Sequence, residues 1–354
     1  MPGGGPGIAN WAITNVCNAN CDFCGYARDK HQPGDRVWID TARACRGIAR
    51  LHERGIRYLT FTGGEPTLHR GLVEMVACAA GLGMRASVVS NGFTLTPERL
   101  ATLQRAGLRG LFLSVDAPTA AAHEANRGLK GVSERLRSLN AAARELGVKT
   151  VASVTLSRLV DDLDALGRFL TELGFGTVTF SYPKTEVHSS SQVFSATSGL
   201  IDYRREELAA AFQAIRDFKQ RFPVLNPDPS LAEMIRHLRG EPECFPCFGG
   251  LKYFYLDPQG MVYRCDFWET PLCPVEDFGR VEFVRDGCTR CMSDCYRDAS
   301  VFLNFPVAIG DALGLLGRGR PLAALRALAA PSSRASVAAL IREARTLRKL
   351  ARTS

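Results

Sequence analysis

Six short runs rich in β-forming residues alternate with amphipathic helical stretches between residues 10 and 182. The runs are WAITNV (11–16), YLTF (58–61), ASVVS (86–90), LFLSV (111–115), TVASVT (150–155) and TVTFSY (177–182). Between them lie patterns such as TARACRGIARLHERG (41–55) and GVSERLRSLNAAARELG (131–147). A repeat of roughly thirty residues is the size of a strand–helix unit, because parallel neighbours need a crossover connection. Six units are too few to close an eight-stranded barrel. The expected fold class is α/β: an open, partial (βα)6 TIM-like barrel, followed by a small cysteine-rich α+β module and a helical tail.

The alternation stops after Tyr182. A polar segment, KTEVHSSSQVFSATSG (184–199), leads to a helix around 203–221, and from 244 onward cysteines, glycines and short strands dominate. These shifts divide the chain into a barrel over 8–224, a second module over 225–305 and a basic helical tail over 306–354.

The opening MPGGGPG lacks the basic and apolar regions of a secretion signal. No window reaches the roughly 18 uncharged apolar residues of a membrane span. A cytoplasmic location is expected, and in that reducing setting the 12 cysteines argue for metal or catalysis over disulfides. Cys45 and Cys78 fall on apolar helix faces and are expected as small core residues. The triplet in CNANCDFC, Cys17, Cys21 and Cys24, follows the first strand, where barrel loops line the functional face. A structural zinc site closes its tetrahedron with four protein ligands. Here no His or Cys follows at finger spacing, and the next cysteine is Cys45. In a cubane cluster, three thiolates hold three irons and leave the fourth open for a cofactor or substrate.

CNANCDFC resembles the CxxxCxφC signature of radical S-adenosylmethionine (SAM) enzymes, φ being aromatic. Further marks of that family follow in order: GGEP (63–66), SNG (90–92), LSVDAP (113–118) and NRG (126–128). The resemblance spans about residues 10–183. It implies a [4Fe-4S] cluster held by Cys17, Cys21 and Cys24, with SAM on the open iron. One electron then cleaves SAM, and a 5′-deoxyadenosyl radical abstracts hydrogen from the substrate. Gly63 and Gly64 would let the backbone approach a ligand, Glu65 would accept from SAM's ammonium, and Pro66 would stiffen the turn. Phe23 would face adenine, Ser114 the ribose, and Arg127 the carboxylate, for which a guanidinium fork is apt. Asn91 belongs to the same pocket. The plainer readings are a simple turn for GGEP, a strand end and helix cap for Ser114 and Asp116, and a surface position for Arg127. A formal charge of +8 suits an acidic electron donor of the flavodoxin or ferredoxin type, or an acidic substrate. No nucleic-acid partner is expected.

A second cysteine group comprises Cys244, Cys247, Cys265, Cys273, Cys288, Cys291 and Cys295. DPQG (257–260) reads as a turn between two strands, so that Cys247 and Cys265 can meet across a hairpin. Cysteine, hairpin, cysteine, then CTRC (288–291) resembles the twitch module, the short relative of the SPASM module. That implies one auxiliary [4Fe-4S] cluster on Cys247, Cys265, Cys288 and Cys291, with Cys295 as a substitute for Cys288 and Cys244 in reserve. A zinc ribbon is the structural alternative. By the same resemblance Asp266, directly after Cys265, is the base that deprotonates a substrate heteroatom from a wet, cleft-facing position. Its plain alternative is a strand-end Asp paired with an Arg. Tyr182, Lys184, Glu186 and His188 are candidates for the substrate pocket or for a solvated loop.

Three substrate classes remain open: a small natural-product or sugar-type intermediate to be oxidised or epimerised, a ribosomally made peptide, and a lipid-linked molecule. Only about ten residues precede the first strand, which argues against a fused leader-binding domain for the peptide class. The tail sequence ASVAALIREARTLRKLARTS (335–354) is a basic amphipathic helix of the kind that lies on anionic membranes, although such tails more often pack on their own domain or a partner subunit. A non-enzymatic electron carrier fits GGEP poorly.

Overall fold

The computed structural model describes residues 4–28, 33–184 and 198–351. Glu186 and His188 lie outside the described residues. Six parallel strands form as the alternation requires: β1 (Gly7–Ala12), β2 (Ile56–Thr62), β3 (Arg85–Ser90), β4 (Leu108–Ser114), β5 (Lys149–Thr155) and β6 (Val178–Ser181). Three more strands belong to the same sheet: β7 (Tyr253–Leu256), β8 (Met261–Tyr263) and β9 (Cys273–Pro274). The order is β6-β5-β4-β3-β2-β1-β7-β8-β9, an open sheet that does not close on itself. β7 runs parallel to β1, with Ile8 opposite Tyr253 and Trp11 opposite Leu256, and β8 and β9 continue antiparallel. The cysteine-rich segment therefore extends the barrel wall.

Beside the sheet lie α1 (Thr41–Glu53), α2 (Leu72–Gly81), α3 (Pro97–Arg105), α4 (Ala120–Arg127), α5 (Val132–Glu145) and α6 (Leu163–Glu172). Their starts are chemically marked. Asp40 accepts from the Arg43 amide at 2.7 Å, Thr96 and Thr119 cap α3 and α4, and Asp162 caps α6 through two amides. On α1 the buried residues Ala44, Gly47, Ile48 and Leu51 recur at helical spacing. Gly47 is needed there, because a Cβ would stand 2.8 Å from Trp11 and 2.9 Å from Val275.

Cys45 and Cys78 are not core thiols. They form a disulfide joining α1 to α2, and both are half-buried on the outer layer, where the two helices pack side by side. This corrects the expectation of small, unbonded core residues.

After β6 come α7 (Arg205–Phe218) and α8 (Asp228–Leu238), then α9 (Asp294–Gly317), α10 (Pro321–Ala329) and α11 (Pro331–Ala351). The chain at 223–225 hydrogen-bonds to Val178, and α9 runs through 305/306 as one helix. By length and composition α9 is apolar enough to cross a membrane, but its first half is buried in the protein, as in a core helix.

Candidate active site

β1 ends at Ala12, four residues earlier than its apolar pattern suggests, because Thr14 turns the chain out of the sheet. The Thr14 hydroxyl donates to Val37 O at 2.8 Å and accepts from the Val16 amide at 3.0 Å. The cysteine loop follows, above the C-terminal strand ends. Cys21 and Phe23 are buried, while Cys17 and Cys24 are half-buried. Burial first, and the nearby Glu65 carboxylate second, push the Cys17 thiol up to about 12. Burial likewise raises Cys21. Thiols so placed surrender their protons only to a strong cationic centre such as bound metal.

Gly63 and Gly64, which line the cavity, also have a structural task. The Gly64 amide donates to Thr14 O and the Glu65 amide to Val16 O, each at 2.8 Å. A Cβ on either glycine would lie 2.2 Å from a carbonyl oxygen, of Thr14 or of Val16, and Gly63 sits at φ 130°. The glycines thus lock GGEP onto the strand that feeds the cysteine loop. Gly64→Ala is expected to cost at least about 1–3 kcal/mol, the range for overpacking, seen as a lowered denaturant midpoint. An unchanged midpoint would show that the loop yields freely.

Glu65 is buried and joins the motifs. Its Oε1 accepts from the Thr67 amide (3.0 Å), the Thr67 hydroxyl (2.6 Å) and the Ser90 hydroxyl (2.8 Å), and its Oε2 accepts from the Asn91 amide (2.7 Å). Pro66 opens a short 3-10 turn, Pro66–Leu68. Asn91 Nδ2 donates to Asn18 Oδ1 at 2.8 Å, tying SNG to the cysteine loop. The Ser114 hydroxyl faces Ser90 O at 3.4 Å. Arg127 is buried, not on the surface. One of its terminal nitrogens donates to Asp116 Oδ1 at 2.6 Å, and its carbonyl accepts from the Asn20 amide. Its Nε is buried without a hydrogen-bond partner among the described residues. An orphaned guanidinium N–H beside the cysteines is the donor that an anionic ligand group would satisfy.

The three cysteines of the loop and every residue expected around SAM except Pro66 line one cavity of about 370 Å³. The same cavity is walled by Thr60 and Thr62 of β2, Ser153 and Thr155 of β5, and Thr179 and Ser181 of β6. Each pair brackets a buried apolar residue, Phe61, Val154 or Phe180, that packs in the hydrophobic core. The barrel interior is consequently hydroxyl-lined. The signal is legible as TFT, SVT and TFS, a period of two with polar side chains turned inward.

Sequence reasoning also missed the start of α9. Asp294, Cys295 and Asp298 all line the cavity, together with Tyr182, Lys184 and Tyr253. Asp294 Oδ1 accepts from the Tyr182 amide at 2.9 Å, and the Cys295 thiol donates to Asp294 Oδ2 at 3.6 Å. Asn226 Nδ2 donates to Asp298 Oδ2 at 2.8 Å, while Asp298 Oδ1 has no partner among the described residues. Burial, then the neighbouring Asp294, lift the Asp298 carboxyl to about 8. Burial also raises Asp294, with Lys184 opposing. The i, i+4 spacing of the two acids gives them one helix face.

The later cysteines separate into two sets. Cys247, Cys265, Cys288 and Cys291 are linked electrostatically: Cys247 with Cys288, Cys265 and Cys291, and Cys265 with Cys291. The Gly249 amide donates to Cys247 Sγ at 3.4 Å, the Phe267 amide to Cys265 and the Ser293 amide to Cys291. The Ala19 amide makes the same bond, from two residues downstream, to Cys17 at 3.4 Å. Cys244, Cys273 and Cys295 feel neighbouring carboxylates but no other cysteine among their main influences. Among the described residues no three His, Cys, Asp or Glu side chains converge on a point for one metal ion. A zinc ion needs sulfurs about 2.3 Å from one centre, whereas a cubane takes one thiolate at each iron corner.

Asp266 is not at a wet, cleft-facing position. It is buried, outside the cavity lining, and its Oδ2 accepts from Lys184 Nζ. Its amide donates to the Tyr296 hydroxyl at 3.0 Å, and Oδ1 has no partner among the described residues. The counter-ion is Lys184, not the Arg of the plainer reading, because β6 delivers Lys184 to the hairpin that carries Asp266. For Lys184, burial opposes the charge, but Asp266, Cys295 and Asp294 outweigh it and raise its pKa.

A three-cysteine loop over the strand ends of a partial α/β barrel shares its cavity with an unpaired guanidinium nitrogen, an arrangement that suits an open cluster site facing a carboxylate-bearing cofactor. Residues 11–170 match the radical SAM superfamily, and the chain carries the radical SAM domain of that superfamily, which binds a [4Fe-4S] cluster and SAM. An AdoMet-dependent heme synthase of Nitratidesulfovibrio vulgaris is 30% identical over 149 residues, 42% of this chain and 40% of that protein. The PqqA peptide cyclase of Gluconobacter oxydans is 28% identical over 174 residues, 48% of this chain and 47% of that protein. The chain thus spans less than half the length of these curated relatives. Among solved structures, anSMEcpe with bound AdoMet and the Cp18Cys peptide superposes with a TM-score of 0.56 at 18% identity, covering 83% of this chain and 90% of that one. Streptococcus suis SuiB bound to S-adenosylmethionine gives a TM-score of 0.55 at 14% identity, covering 73% of this chain and 60% of that one. These likenesses establish the shared fold.

Proposed function

We propose that this radical SAM enzyme oxidises or epimerises a polar small molecule held inside the partial barrel. One observation carries the reading: the three-cysteine loop, the hydroxyl-bearing strand positions and the Asp294–Asp298 face line a single cavity. In this reading Cys17, Cys21 and Cys24 hold the cluster, and Arg127 Nε receives the cofactor's carboxylate. Phe23 shields the adenine, Ser114 and Asn91 border the ribose, and the Glu65 Oε2 face takes the ammonium. A cluster and SAM held there would supply the radical chemistry that removes a hydrogen atom from substrate carbon, and the protein would supply their position and the exclusion of water. The inward Thr and Ser hydroxyls orient substrate hydroxyl or amino groups. Asp298, whose carboxyl burial raises to about 8, presents its unpartnered oxygen to the same space.

Cys247, Cys265, Cys288 and Cys291 are assigned to an auxiliary [4Fe-4S] cluster that accepts the second electron of an oxidation. Their mutual proximity and the amide bonds to three of the sulfurs support it, since such bonds help set a cluster's potential. Cys295 belongs instead to the substrate wall. An acidic flavodoxin- or ferredoxin-type protein is the proposed donor. Anaerobically reconstituted protein is expected to hold about eight irons, two cubanes of four, by iron assay and Mössbauer spectroscopy. Four irons with one tightly held zinc would replace the auxiliary cluster by a zinc ribbon.

A second reading, peptide modification, has one specific support: anSMEcpe and SuiB have been solved with a bound peptide, Cp18Cys or the precursor SuiA. Release of 5′-deoxyadenosine should rise with polyhydroxylated or amino-substituted small molecules. Stimulation by peptides alone would favour the second reading.

A further inference from the structure

The outer end of the helical tail has two apolar stripes that none of the described residues covers. Ile309, Leu313 and Leu316 follow one another at four- and three-residue spacing on α9, and Leu322 and Leu325 three apart on α10. Leu313, Leu316, Leu322 and Leu325 are 51–72% exposed. With Ile309 and Ile341, the tail holds six of the nine large apolar side chains exposed among the described residues. Between the stripes lies the turn Gly317–Arg320, whose Arg318 and Arg320, with Arg326 on α10, are exposed.

The tail is firmly attached, so these leucines are not awaiting a place in the protein's own core. Ser336 Oγ donates to Val301 O at 2.6 Å, Lys219 pairs with Glu343 at 2.9 Å, and Ala324 and Ala339 are buried. The inner face packs on the body, while the outer face presents leucine beside arginine. Residues 306–354 contain nine Lys or Arg against Asp311 and Glu343. Exposed leucines on either side of a turn that carries exposed arginines match a bilayer interface: the leucines would enter the acyl boundary while the arginines meet headgroup phosphates.

We propose that the α9–α10 turn docks this enzyme on an anionic phospholipid surface. The charge complementarity selects that occupant over a second copy, whose equally basic tail would repel it. The inference is independent of the substrate proposed above.

The test is co-flotation of the full chain with vesicles of phosphatidylglycerol and phosphatidylcholine, against vesicles of phosphatidylcholine alone. Binding is expected to the anionic vesicles and to weaken with salt. Leu313→Ser with Leu322→Ser, and separately Arg318→Glu with Arg320→Glu, should each reduce the partition at least about tenfold. Iron content and SAM cleavage should stay unchanged, because no altered residue lines the cavity. Wild-type protein that stays with the soluble fraction, or variants that float like wild type, would overturn the proposal. So would a dimer in light scattering that the leucine variant converts to monomer without any vesicle binding, since the face would then be a contact between copies.

Discussion

Replacing Cys17, Cys21 and Cys24 together by alanine is expected to abolish reductive SAM cleavage while leaving about half of the reconstituted iron. The loss should reach the uncatalysed background, a drop on the order of 10⁶-fold or more at the low end of enzymatic accelerations. Among the described residues no other cysteine lines the cavity with the triplet except Cys295. Cys295 is tied to Asp294 and electrostatically to Lys184, not to the cysteine loop. Chromatography of a dithionite-reduced reaction, run beside iron analysis, checks both halves. Retained 5′-deoxyadenosine formation in the triple variant would remove the loop from the chemistry. Complete loss of iron would mean that the second cysteine set does not hold a cluster independently.

The barrel was legible because its information is local. Each of β1–β6 has an apolar run of its own and is followed by a stretch with helical periodicity, so strand existence follows from neighbours in sequence. The cysteine loop was legible for the same reason, as three cysteines lie within eight residues. What could not be read depends on distant partners. β7, β8 and β9 have four, three and two residues, too short for a periodic signal, and β7 joins β1 across more than two hundred residues. GGEP reads locally as a loop beside a ligand, but that its glycines also pack on the carbonyls of Thr14 and Val16, about fifty positions earlier, is not visible in the motif. Cys45 and Cys78 each looked apolar by its own helix, and only the packing of α1 on α2 brings them together. The spacing of Asp294 and Asp298 was visible in SDCYRDAS, but not which cavity that helix face would meet.

The sharpest consequence of the observed geometry concerns Asp266. Asp266→Asn alone leaves the Lys184 ammonium buried beside a neutral amide, and breaking such a pair costs roughly 3–5 kcal/mol. A lowered Tm and lost activity in that variant would therefore be ambiguous, since misfolding and a missing base produce the same silence. Lys184→Met combined with Asp266→Asn removes both charges, and most of the stability should return because no uncompensated ion remains. If Asp266 takes a proton from the substrate, the double variant should still bind iron and cleave SAM, yet form product about 10²–10⁴-fold more slowly. Product analysis beside 5′-deoxyadenosine counts separates the two steps. A stable double variant with wild-type product formation would make Asp266 a counter-ion that seats Lys184 at the cavity wall. The base would then have to be sought on the α9 face, where Asp294 and Asp298 line the cavity.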